Sequence, residues 1–127
     1  MLSRTILKRR RVLSELALVT CDCPANTGKL ALAAGKNFVM KNPGAVEERM
    51  TFRDMKNMQY LDEPQIVVLQ GCEKNCPLLR LEKEGFGAPA ACVFLGELGY
   101  VREGTAEPSY ADIEKVTEAV KRVVRGV

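Results

Sequence analysis

Two rhythms of apolar residues alternate along this chain. Short, nearly unbroken apolar runs occur at LALVT (16–20), QIVVLQ (65–70) and AACVFLGEL (90–98). QIVVLQ is β-branched throughout its middle, and all three are bounded by polar or turn residues, the pattern of strands buried on both faces. The segments between them repeat every three to four residues instead. In TGKLALAAGKNF (27–38), Leu30, Ala34 and Phe38 fall on one face of a helix that Asn26 or Thr27 could cap. Pro43 and Gly44 break the pattern. Val46, Met50, Met55 and Met58 then predict a second helix over 45–58, with the methionines as core filler and not a sulfur ligand set. CPLLRLEKEG (76–85) reads as a short helix with Pro77 in its first turn and Gly85 at its C-terminal cap. The last helix opens at Ser109 and Asp112, a capping-box spacing, and carries Tyr110, Ile113, Val116, Val120, Val123 and Val124 along one face.

Strand and helix alternate, which predicts a single α/β domain with a mostly parallel, three- to four-stranded sheet and flanking helices, Rossmann-like in plan. The domain is expected over 16–127, after a basic N-terminal arm at 1–15. In such sheets ligands bind outside the carboxyl ends of the strands, where loops run into helices. Cysteines stand at two of these junctions: Cys21 and Cys23 after the first strand, Cys72 and Cys76 after QIVVLQ.

Composition narrows what those cysteines can do. The chain has 127 residues, 46% hydrophobic and 28% charged, enough for one domain with its own core. Much of the net charge of +3 sits in Lys8–Arg11, read as a solvated arm. Aromatics are few and tryptophan is absent, so nothing points to nucleic acid. No run approaches the roughly 20 apolar residues of a membrane span, and the N-terminus lacks the apolar core of a signal peptide. The expected setting is the cytoplasm, where clustered cysteines serve metals or thiol chemistry more often than disulfides. No partner is implied. Histidine is absent, which excludes imidazole ligands and a Cys–His nucleophile pair.

Cys21 and Cys23 can turn both sulfurs inward on a tight loop stiffened by Pro24. Cys72 and Cys76, at i and i+4, share a face if both lie in a first helical turn. Gly71 eases the exit from the strand. Helix N-termini would favour the thiolates. Four thiolates suit tetrahedral zinc, and the same set could hold an iron–sulfur cluster. Cys92, inside AACVFL, reads as core filler. Asn26, Thr27 and Gly28 open a helix whose N–H groups could hold an anion, although capping is the simpler role.

The elements CDCPANTGKLA and VVLQGCEKNC resemble the two motifs of the DGC-domain family, small and mostly prokaryotic proteins thought to bind zinc. One motif is a cysteine followed by Ser/Asn-Thr-Gly opening a helix; the other is Asp-Gly-Cys-x-x-x-Cys after an apolar strand. The likeness runs from about 17 to 125 and is weak over 36–64. It implies metal binding by cysteines and supplies no reaction. Gln70 stands where the family has Asp, and NFVMKNPGAVEERM lacks a further cysteine that such proteins often carry. Cys23, where the family commonly has Gly, could replace that ligand. The expectation is one zinc held by Cys21, Cys23, Cys72 and Cys76 in a structural or regulatory role, since four thiolates leave a poor Lewis acid with no open position. The alternatives are an iron–sulfur protein with the same ligands and a thiol-dependent redox or nucleophilic enzyme. In the enzyme Cys72 attacks, with Cys76 or Cys23 resolving.

Overall fold

The computed structural model describes residues 16–60, 64–71 and 76–127, the side chains of 57–60 apart. The basic arm and Cys72 lie outside the described residues. The elements run β1 (Leu16–Thr20), α1 (Asn26–Lys41), β2 (Glu48–Thr51), a 3₁₀ helix (Phe52–Tyr60), β3 (Gln65–Gln70), α2 (Cys76–Lys83), β4 (Ala91–Phe94), a second 3₁₀ helix (Leu95–Leu98) and α3 (Tyr110–Arg125). The strands form one sheet in the order β2-β1-β3-β4, and every pairing is parallel. This is an α/β, Rossmann-like domain.

The connection from β1 runs to β2 on one side, and the chain then crosses back to β3 on the other. The strand order therefore reverses between β1 and β3, which opens a crevice between the loops that leave their carboxyl ends. Helices pack on both faces. One face joins Leu16, Leu18, Val67, Leu69 and Val93 of the sheet to α1 and α3 through Leu30, Phe38, Val116 and Val120. The other joins Ala17, Val19, Met50, Ile66 and Val68 to Met55 of the first 3₁₀ helix and Leu81 of α2. Alternate residues of β1 and β3 thus serve opposite cores, as runs buried on both sides must.

Some expectations are corrected. The helix predicted over 45–58 is instead β2 followed by the 3₁₀ helix. β1 offers backbone groups that need partners, and β2 supplies them in the register Leu18↔Arg49 and Val19↔Met50, begun by Glu47 N–H donating to Leu16 O (2.7 Å). Met50 and Met55 are buried as core, though not on one helical face. The strand predicted over 90–98 ends at Phe94, and the second 3₁₀ helix turns out at Gly99 with φ of 93°. Neither Asn26 nor Thr27 caps α1; its N-cap is Ala25, with no side-chain hydrogen bond. Tyr110 begins α3 but is 72% exposed, off the face carrying Val116 and Val120. The Ser109 cap is present: Asp112 N–H donates to Ser109 Oγ (3.2 Å). Gly85 closes α2 at φ of 82°.

Candidate functional site

The two cysteine loops leave neighbouring strands at the sheet's switch point. Pairing of β1 with β3 continues past the strand end, where Cys21 N–H donates to Leu69 O (3.2 Å). The Cys21 side chain is 1% exposed, and its sulfur accepts a hydrogen bond from Gly71 N–H (3.2 Å). This bond joins the first cysteine of one loop to the residue that precedes Cys72 in the other. The sequence reading assigned Gly71 to a turn; the structure assigns it to close approach. Its φ is not positive, but a Cβ there would collide with the Thr27 carbonyl. Gly28 is excluded from substitution in the same way, because a Cβ there would meet the sulfur and carbonyl of Cys23. Cys23 is partly buried against the first turn of α1, where the helix macrodipole favours a thiolate.

Cys76 is the first residue of α2 and is partly buried. Beside the first loop stands an ion pair. Arg53 Nε donates to both carboxylate oxygens of Asp22 (2.8 and 3.1 Å), and Asp22 lies between Cys21 and Cys23 in sequence. The hydrogen bond to Asp22, then its charge, raise the Arg53 pKa above its ordinary value; the charge of Cys76 adds to the effect. The guanidinium therefore holds the first loop through Asp22.

Sequence reasoning found the thiols but missed what surrounds them. Asn26, an anion-binding candidate, is spent elsewhere: its Nδ2 donates to Val101 O (3.0 Å) and its Oδ1 accepts from Glu103 N–H (2.7 Å). Its own N–H donates to Gly104 O (2.9 Å). Together with Lys29, which donates to Thr105 O (2.8 Å), it ties the 101–107 loop over the start of α1. The hydroxyls of Thr20 and Thr27 are buried with no partner among the described residues. Each unpaired buried hydroxyl costs about 1–3 kcal/mol. The Asn-Thr-Gly string signalled a helix start; the strapped loop and the unpaired hydroxyls left no mark in the sequence. Cys92 stands apart from the site, on β4 against the second core, with its pKa pushed up to about 11 by burial and, secondarily, by the charge of Glu97. That thiol is protonated at neutral pH.

The family model of the DGC domain matches residues 17–120. The chain belongs to the DGC-domain family. No curated protein and no solved structure matches it. In this DGC domain the two motifs begin on adjacent strands, and the match includes the 36–64 stretch where the resemblance is weakest. Gln70, in place of the motif's Asp, is fully buried at the end of β3. The strand after the first helix, where relatives often carry another cysteine, is β2, which has none. The all-sulfur donor set suits a thiophilic metal, and Cys21, Cys23, Cys76 and Cys92 form no disulfide with one another. Among the described residues no three potential ligands surround one point, and Cys72 is outside them. No helix among the described residues is long and apolar enough to cross a membrane.

Proposed function

We propose that this DGC domain binds one metal ion, zinc before any other, through Cys21, Cys23, Cys72 and Cys76 at the crevice between β1 and β3. The observation that carries this reading is the bond from Gly71 N–H to Cys21 Sγ, which brings the two cysteine loops together. The surroundings suit thiolates. Cys21 already accepts an N–H bond, Cys23 rests on a helix N-terminus, and Arg53 supplies a nearby positive charge. The ion would cross-link the loops after β1 and β3 while the backbone amide and Arg53 offset the excess negative charge. A site filled by four thiolates is structural or regulatory. Clustered cysteines that serve a metal fit the cytoplasm as the working compartment.

A second reading, a thiol enzyme with Cys72 as nucleophile, draws support from space beside the site. A groove of about 420 Å³ runs from Asp22 past Lys36, Arg49, Thr51 and Asp54, room enough for a small substrate. Elemental analysis of protein purified without added metal separates the readings. One zinc and no colour supports the first, a brown protein points to an iron–sulfur cluster, and a metal-free protein with a fast-alkylating thiol supports the enzyme. Cys72→Ser should lose the zinc and lower the melting temperature while leaving far-ultraviolet circular dichroism largely intact, because the sheet has cores on both faces independent of the loops. Unchanged metal content and melting temperature in that variant would remove Cys72 from the ligand set.

A further inference from the structure

Along the open edge of the sheet two cations stand without a counter-charge. Among the described residues β2 has a strand neighbour on one side only, and all four of its residues line the groove of about 420 Å³. That volume falls in the range of small-ligand sites. Lys36 of α1 and Arg49 of β2 both line it. Their walls meet: a Cβ on Gly35, the residue before Lys36, would stand 3.9 Å from Arg49 Cδ. Arg49 is partly buried, and neither cation makes an ion pair or hydrogen bond among the described residues. A charge drawn out of water is ordinarily paired. The carboxylates of the groove do not pair with these two. Asp22 is gripped by Arg53, Asp54 accepts from Thr51 Oγ1 (3.4 Å), and Glu48 projects from the face of β2 opposite to Arg49, because strand side chains alternate. Apolar surface adjoins the cations. Leu32, one helical turn before Lys36, lines the same groove. Leu32 and Lys36 also line a second hollow of about 330 Å³, walled by Ala33 and Pro108. The other charges there, Lys29 and Glu107, are paired with each other (3.0 Å).

We propose that this edge groove binds a small organic acid, with its carboxylate between Lys36 and Arg49 and a short apolar body over Leu32 toward Ala33 and Pro108. A carboxylate accepts charge-assisted hydrogen bonds from both cations, and the guanidinium of Arg49 offers it two parallel donors. A second acidic group at the far end of the ligand is disfavoured, because it meets either the apolar hollow or the carboxylate of Asp54. The groove borders the first cysteine loop only at Asp22. Binding there does not depend on whether the four cysteines hold a metal.

Titration of hexanoate, adipate and inorganic phosphate into isotope-labelled protein, followed by backbone amide NMR shifts, tests this. Hexanoate and adipate share one carbon chain and differ only in the second carboxylate. We expect saturable shifts in β2 and around Lys36 with hexanoate, and binding about tenfold weaker for adipate and for phosphate, which lacks the apolar body. Lys36→Gln and Arg49→Gln should each weaken hexanoate about tenfold, the loss expected when a charged donor is removed. Arg49→Lys keeps the charge and should fall between wild type and Arg49→Gln. Lys36 is exposed, so its variant keeps the wild-type spectrum outside the groove and remains a test even where Arg49→Gln loosens β2. No saturable shift in the groove with hexanoate, or hexanoate binding indifferent to Lys36→Gln, overturns the proposal. Adipate or phosphate binding as tightly as hexanoate overturns the assignment of the ligand. Zinc content measured on the same samples keeps the two readings apart: a zinc-free protein that still binds hexanoate in the groove removes the metal reading and upholds this one.

Discussion

On one face of the sheet two sixteen-residue helices, α1 and α3, lie against each other and against the strands. On the other face the eight-residue α2 shares the cover with a 3₁₀ helix. The first pair is also laced by polar contacts. Asn37 Nδ2 donates to Thr117 Oγ1 (2.9 Å), and Lys41 pairs with Glu114. That hydrogen bond holds Glu114 below the usual carboxylate range and Lys41 above its ordinary value. The second face contributes what the first does not, a cation beside the first cysteine loop, because Arg53 sits on the 3₁₀ helix and reaches Asp22. The long-helix face is a scaffold. The short-helix face holds part of the site on a segment that Met55, which is fully buried, anchors to the second core. Cys23 rests on the scaffold, Cys76 opens the short helix, and the crevice between β1 and β3 lies where the two faces meet.

A pair of truncations should separate the faces most strongly. Phe38→Ala empties the largest fully buried side chain of the scaffold and should cost about 3–5 kcal/mol, with a large fall in melting temperature. Zinc affinity of the molecules that remain folded should change little. Met55→Ala should cost about 2 kcal/mol, near the lower end for such truncations, because its loosening is local. Its larger effect should be on zinc affinity, since the segment that carries Arg53 loses its anchor. Chemical denaturation and chelator competition on both variants check this. Equal losses in both measurements for the two proteins would abolish the distinction between scaffold and site-bearing face.

The contrast also explains what could be read in the sequence. The scaffold was legible because its signals repeat: Leu30, Ala34 and Phe38 recur along α1, and Val116 and Val120 along α3. The runs at β1 and β3 announced themselves in the same way, and with them the sheet edge from which the two cysteine loops leave. The 45–58 stretch carried no such repetition. β2 is a four-residue edge strand with Arg49 and Thr51 among its residues, and its identity is set by pairing with β1, thirty-one residues back. Methionines at uneven spacing imitated a helix. The ion pair of Arg53 with Asp22 was hidden for the same reason, since it exists only once β2 lies beside β1 and delivers the 3₁₀ helix to the end of the sheet.

Cutting that ion pair gives an intermediate effect. Arg53 is largely exposed, so Arg53→Met should leave the melting temperature of the metal-free protein close to wild type. It should still weaken zinc binding, because the thiolates lose a nearby positive charge and Asp22 is left beside them without its partner. Arg53→Lys keeps the charge but not the two-oxygen grip of the guanidinium, and should fall between. Raising the salt concentration should narrow the gap between wild type and Arg53→Met, as screening weakens what the substitution removed. A gap that does not respond to salt would mean that Arg53 acts through packing, and the short-helix face would then have no electrostatic part in the site.

Cys92 tests the same face away from the crevice, where the smallest effect is expected. It packs partly buried against the second core and pairs in register with Val68. Cys92→Ala should leave zinc content at the wild-type value, and a loss of metal would make Cys92 a ligand. Its thiol also gives the face a pH signature. Burial raises the folded-state pKa from the ordinary 9.0 to about 11, so the folded protein keeps a proton that the unfolded chain has already released. The stabilisation this confers is complete below pH 9, declines as pH rises from 9, and is gone above about 11. Melting curves of wild type and Cys92→Ala across that range isolate the contribution, because every other group titrates alike in both. The wild-type advantage should shrink steadily over the window, and only slightly, since the side chain is not fully shielded from water. A constant difference from pH 8 to 12 would mean that the thiol titrates as it does in the unfolded chain and that β4 opens this edge of the second core to solvent.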